Sequence, residues 1–173
     1  MDSTKWISKK IALLGNHAVG KTSLISRFVE NKFPESYLTT IGLKVDKKTI
    51  SVDDYNVDLV IWDIAGQENL ANIPHYYLNG CSGFIYVVDL SRPSTYESLQ
   101  SQVMLLHGIL PDAEMVLAAN KKDLLSEPEL AAVLEGFGLQ PDICTSAKTG
   151  ELVDDLFLML GRKLVKQHET QGS

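Results

Sequence analysis

The run Gly15-Asn16-His17-Ala18-Val19-Gly20-Lys21-Thr22 has the form G-x-x-x-x-G-K-[ST]. Its glycines let the backbone curl so that successive N–H groups point at one anion. A helix beginning at Lys21 would turn its positive end toward the same anion. In this chemistry Lys21 reaches the β- and γ-phosphates and the Thr22 hydroxyl binds Mg²⁺. Alone, the motif implies a nucleoside triphosphate and says nothing about the base.

Four further segments narrow the chemistry. Asn120-Lys121-Lys122-Asp123 follows the apolar run 115–119. An Asp at the carboxyl end of a strand can accept from the guanine N1–H and 2-amino groups, which adenine lacks, and in a buried slot it would reject adenine strongly. Asn120 is placed to tie this loop to the phosphate loop, and the Lys121 stem to cover the base. In Thr145-Ser146-Ala147-Lys148 a small residue lets a backbone N–H approach the guanine O6. Asp63-Ile64-Ala65-Gly66-Gln67-Glu68 ends another apolar run. There Asp63 is suited to hold a water on Mg²⁺, Gly66 to bring its N–H against the γ-phosphate, and Gln67 to orient an attacking water. Tyr37-Leu38-Thr39-Thr40 supplies Thr40 for the metal and the γ-phosphate, while Phe33 would cover the edge of the guanine.

The elements that must position these residues alternate. Apolar runs predict strands over 10–14, 43–52, 57–62, 83–89, 115–119 and 142–145. Helices fit 21–29, 94–107, 130–135 and 151–166, the last with Leu152, Leu156, Leu160 and Leu164 at core spacing. Asp53-Asp54-Tyr55-Asn56 reads as a polar turn joining an antiparallel hairpin at one edge of a mostly parallel sheet. Trp62 is expected in the core. No repeat or linker interrupts the chain, which predicts one guanine-nucleotide domain over 1–173.

Composition excludes several classes. The chain has 173 residues, is 45% hydrophobic and 22% charged, and carries a net charge of −6. With no basic run, neither nucleic acid nor an anionic membrane surface is an expected partner. Cys81 and Cys144 fit no metal spacing and read as buried thiols rather than a disulfide, as in a reducing compartment. No apolar stretch reaches membrane-spanning length, no secretory leader is legible, and Asp2 is incompatible with myristoylation. A cytoplasmic protein without a stable membrane anchor is the expectation.

With five motifs in order, the sequence resembles the small GTPases of the Ras superfamily over essentially its whole length, most closely the Rab and Ras branches. It lacks the N-terminal helix typical of the Arf branch and the insert after N-K-x-D of the Rho branch. The resemblance implies a six-stranded sheet with about five helices. It assigns guanine nucleotide to Gly15, His17, Ala18, Val19, Gly20, Lys21, Thr22, Ser23, Phe33, Tyr37, Thr40, Gly66, Asn120, Lys121, Asp123, Ser146, Ala147 and Lys148. It assigns Mg²⁺ to Thr22, Thr40 and, through water, Asp63, and catalysis to Gln67, Lys21 and Gly66. It makes 33–42 and about 63–77 switch loops read by effectors, exchange factors and activating proteins.

Three departures stand out. His17 replaces a Gly or Ser; its ring either crowds the γ-phosphate and an activator's approach or turns out to solvent and does little. Ile64 replaces a Thr, read as a packing change. The second switch is about one residue short, and Pro74 would cut any helix in it. His75 reads as a surface residue rather than a base. None of the arginines, Arg27, Arg92 and Arg162, lies in a switch loop. A scaffold that holds GTP without cleaving it, and less readily a small-molecule phosphotransferase, are the rival readings.

Overall fold

The computed structural model describes residues 4–36, 38–67 and 69–172. Six strands run β1 (Lys5–Leu14), β2 (Leu43–Val52), β3 (Tyr55–Ile64), β4 (Gly83–Asp89), β5 (Glu114–Asn120) and β6 (Ile143–Cys144). They form one sheet of order β2-β3-β1-β4-β5-β6. Only the β2–β3 pair is antiparallel. Five α-helices connect them: α1 (Lys21–Glu30), α2 (His75–Leu78), α3 (Leu99–Ile109), α4 (Glu127–Glu135) and α5 (Val153–Gln171). This is the α/β architecture expected from the alternation of periodicities.

Alternating side chains of the central strands feed two cores. Ile11, Leu13, Leu59, Ile61, Ile85 and Val87 pack with α1 and α5. Ala12, Leu14, Phe84, Tyr86 and Val88 pack with α3 and with Leu130 of α4. Every residue of β4 is buried, as a central parallel strand covered on both faces requires. Register then aligns the carboxyl ends of the strands. Leu13 pairs with Asp63 and Ile85, Asp89 with Asn120, and Ala119 with Cys144. Four of the motifs leave the sheet at that one edge, and the segment with Thr40 enters antiparallel β2 there.

Boundaries differ where polar residues hide an element. β1 starts at Lys5, because 5–9 pair with 55–59 although lysines and a serine break the apolar pattern. The β2–β3 turn is only Asp53-Asp54, with Asp53 at φ 49°, and Tyr55 already pairs with Val52. α3 starts at Leu99 rather than Ser94, because Pro93–Thr95 form a 3₁₀ turn instead. α4 starts earlier than expected, since Ser126 and Glu129 form a reciprocal capping box around Pro128. α5 runs on to Gln171, and Leu152 falls outside it, left-handed and exposed, so only Leu156, Leu160 and Leu164 are core. Trp62 is half-buried at the core margin, with the Lys10 ammonium 3.5 Å from its ring centre. Ile64 is buried in the second core, and His75 is exposed. Pro74 separates a 3₁₀ turn (Leu70–Asn72) from the four-residue α2.

The packing of α1 on α5 has a checkable centre. Phe28 and Phe157 stack with centroids 3.8 Å apart and planes within 4°. Phe157 is fully buried. Phe157→Ala is expected to cost about 3–5 kcal/mol in a urea titration at fixed nucleotide concentration. A loss below about 1 kcal/mol would show that the surrounding core closes over the gap.

Candidate functional site

The loop from Gly15 to Gly20 joins β1 to α1 with Gly15, Ala18 and Gly20 all at positive φ, 142°, 60° and 102°. A side chain on Gly15 would run into the Val87 carbonyl, and one on Gly20 into the Asn120 amide. Lys21 folds back under the loop, and its Nζ donates to the carbonyls of Gly15 (3.1 Å) and Asn16 (2.9 Å). Burial pushes this ammonium down to about 8; the Asp63 carboxylate opposes the shift and the Arg92 guanidinium adds to it. Val19 is fully buried beneath the loop.

Beside Lys21 three oxygens converge. The Thr22 hydroxyl donates to Asp63 Oδ2 at 2.6 Å. Its oxygen lies 2.6 Å from that of Thr40. Since the single Thr22 proton goes to the carboxylate, Thr40 is the donor in that second bond. Asp63 Oδ1 is buried with no hydrogen-bond partner among the described residues. Burial raises the Asp63 pKa, with the Thr22 bond and the Lys21 charge opposing it. An orphaned carboxylate oxygen beside two hydroxyls suits a hard cation that would take the hydroxyls, phosphate and water as ligands and reach the carboxylate through one of those waters, as Mg²⁺ can. No cluster of three or more His, Cys, Asp or Glu among the described residues would hold a metal by itself.

The segment after β3 lies directly on the phosphate loop. A Cβ on Gly66 would sit 2.5 Å from His17 Cα and 2.7 Å from His17 N, a backbone clash that leaves room only for glycine. Thr40 and Gly66, with His17, Lys21 and Thr22, narrow the phosphate end to a cavity of about 20 Å³. His17 is exposed at its rim. Gln67 is half-buried and does not line this cavity. Tyr37 lies outside the described residues, as does Glu68.

A second cavity of about 250 Å³ adjoins the first, sharing Ala18, Gly20 and Ser23. Phe33, Asn120, Lys121, Asp123, Ala147 and Lys148 contribute to its walls. Asn120 is buried and joins three loops. Its amide donates to Val19 O (3.0 Å), while its Oδ1 accepts from Thr145 Oγ1 (3.1 Å) and Ala147 N (3.2 Å). One expectation needs correction here. Asp123 is exposed at the cavity mouth rather than held in a buried slot; its Oδ1 accepts from Ser146 Oγ at 2.6 Å.

Sequence reasoning missed four supports. Asp89, at the end of β4, is buried and pairs with Lys121 Nζ at 2.7 Å, steering that ammonium onto the Ala18 carbonyl (2.8 Å). Arg27 of α1 donates to the carbonyls of Ala147 (3.0 Å) and Lys148 (2.6 Å). Arg92 donates to the His17 carbonyl. Leu124 adds an exposed apolar wall to the larger cavity. An Asp in register with Asn120 at neighbouring strand ends was the one available signal; the arginine contacts span too much sequence to be read from it.

Comparison with known proteins agrees with this geometry. The model of the Ras family matches residues 10–166. Ras-related protein SEC4 of Saccharomyces cerevisiae is 34% identical, covering 91% of this chain and 75% of its own. Ras-related protein RABF2b of Arabidopsis thaliana is 34% identical, covering 97% and 86%. Ras-related protein Rab-4B of Homo sapiens is 32% identical, covering 91% and 76%. A nucleotide loop, a base cavity and two loops closing on the phosphate end thus come with matching sequence over nearly the whole chain, which belongs to the Ras family of small GTPases and is Rab-like within it.

Proposed function

We propose that this chain is a switch that binds GTP or GDP with Mg²⁺, hydrolyses GTP slowly, and presents differently ordered loops to effectors in the two states. The observation that carries this reading is the closure of the phosphate cavity by one residue from each loop, Thr40 and Gly66. A third phosphate placed there must engage both. GDP leaves them without that partner, which is the spring of a nucleotide switch. Bound Mg²⁺ would neutralise phosphate charge, held by Thr22 and Thr40, with Asp63 acting through a water.

The chain's own residues then divide the work. Lys21 and the loop N–H groups hold and stabilise the phosphates. The Gly66 N–H aligns the terminal one. Gln67 swings into the cavity to orient water, and the cavity must widen for this. On the base side, Asp123 and the 145–148 loop read guanine while Lys121 and Phe33 cover it. Exchange factors and activating proteins act through 33–42 and 63–77. No helix among the described residues is long and apolar enough to cross a membrane. A scaffold reading draws on His17 at the cavity rim and Gln67 outside it.

Single-turnover cleavage of preloaded GTP separates the two. Slow but definite GDP formation is expected; GTP retained intact over many hours would establish the scaffold instead. In competition, excess ATP should leave bound GTP in place, and displacement by ATP would refute the guanine assignment. Gly66→Ala should leave GDP affinity nearly unchanged and slow hydrolysis on the order of 100-fold, because its Cβ meets backbone rather than a movable side chain. Wild-type turnover in that variant would show that the 63–77 loop need not close.

A pH dependence follows from Lys21. Burial lowers the free ammonium to about 8, and phosphate oxygens beside it would raise it again in the complex. Binding therefore takes up a proton above pH 8. GDP affinity should be flat below about pH 8 and weaken above it, approaching tenfold per unit. A Kd for GDP constant to about pH 9.5 would show that Lys21 keeps its proton without nucleotide.

A further inference from the structure

Three consecutive carbonyls of the phosphate loop each accept from a side-chain nitrogen of another loop. Val19 O takes the Asn120 amide and Ala18 O the Lys121 ammonium. His17 O takes the Arg92 guanidinium. Because the peptide is planar and trans, a carbonyl held to one side turns the next N–H to the other. These three bonds thus aim the N–H groups of Ala18, Val19 and Gly20 into the anion site. Two of the three donors belong to the guanine loop. The third comes from the segment after β4, where none of the five sequence motifs lies.

That segment is built to hold an arginine still. Arg92 N donates to Asp89 O (3.0 Å), and Arg92 O accepts from Thr95 N (3.0 Å) and Thr95 Oγ1 (2.8 Å). Asp89 Oδ1 fastens the preceding residue by accepting from Ser91 N (2.9 Å) and Ser91 Oγ (2.6 Å). The side chain is half-buried, and its Nε is buried with no hydrogen-bond partner among the described residues. The guanidinium is close enough to Lys21 for the two charges to interact. Placing a second cation against the buried loop lysine is unfavourable unless an anion completes the site. Arginine is the cation suited to this place, since it keeps its charge when desolvated and its fork is planar and rigid.

Resting on the GTPase reading above, we propose that Arg92 is a positioning residue for GTP hydrolysis, supplied in cis from the segment after β4. It fixes the His17–Ala18 peptide with the Ala18 N–H facing the phosphates, and it sets one permanent positive charge behind them. Both effects grow with phosphate charge, so Arg92 favours GTP over GDP and the cleavage step over simple retention.

The test uses the full chain, preloaded with GTP or GDP in Mg²⁺. Arg92→Gln keeps an N–H donor and removes the charge. It should slow single-turnover cleavage about tenfold, the scale of one hydrogen bond to a charged group, and lower the ratio of GTP to GDP affinity. Arg92→Lys should fall between the variant and wild type in both readouts. A merely structural role would weaken both nucleotides alike and leave the cleavage rate of bound GTP unchanged. Cleavage within twofold of wild type in both variants, with the affinity ratio unmoved, would overturn the proposal while leaving the GTPase reading intact. Wild-type protein that holds no GTP, or never cleaves it, would remove the GTPase reading itself.

Discussion

The site depends on one buried amide. Asn120 spends an N–H on the Val19 carbonyl and both lone pairs of its oxygen on Thr145 and Ala147. It therefore joins loops that leave β1, β5 and β6. None of these partners has water to fall back on, because Val19, Thr145 and Ala147 are all buried. Losing the amide would leave several polar groups unpaired, each costing about 1–3 kcal/mol. Such a penalty is large against the stability of a domain this size. Base cavity and phosphate loop are thereby held at a fixed distance, and a ligand that fits one must fit the other.

The sheet makes that joint possible. Parallel strands bring every carboxyl end to one edge, and register sets Asp63, Asp89 and Asn120 level with the loop that follows β1. Charge follows the same geometry. The whole chain is acidic, at −6, yet Lys21, Arg92 and Lys121 all turn onto carbonyls of the phosphate loop. Asp63 and Asp89 are the buried carboxylates beside them. Local field, rather than net charge, is what an anionic ligand meets.

Much of this was legible in the residues, and the illegible parts share a cause. The phosphate loop and the Asn120 loop were readable because their chemistry is carried by neighbours in sequence. β2 was readable to the residue, since both its ends are set by a change of pattern. The first half of β1 was not: its open edge carries lysines, and polarity overrides the strand pattern there. Leu152 obeyed helical spacing and still lies outside α5, because spacing cannot tell a first turn from the residue before it. Asp123 was read as buried because the pairing role expected of it suggested burial, whereas it stands exposed at the cavity mouth. Arg27 and Arg92 were beyond reach, since each acts on a carbonyl contributed by a distant loop, and a carbonyl has no residue type to recognise.

The two closing loops differ in what holds them. Thr40 reaches the site through Thr22 and Asp63, by bonds that use the same oxygens a cation would need. On the proposed reading Thr22 and Thr40 would hold a bound cation, with Asp63 acting through a water, so the first loop would have polar partners with or without it. Gly66 instead rests on the backbone of Asn16 and His17, where no side chain can adapt. On the proposed reading, a terminal phosphate in this cavity would offer the Gly66 N–H an acceptor. On that reading the second loop would be the stricter reader of the terminal phosphate, since its position is set by backbone contact rather than by a replaceable hydrogen bond. The backbone of His17 stands at the same contact and bounds how closely the Gly66 loop can approach.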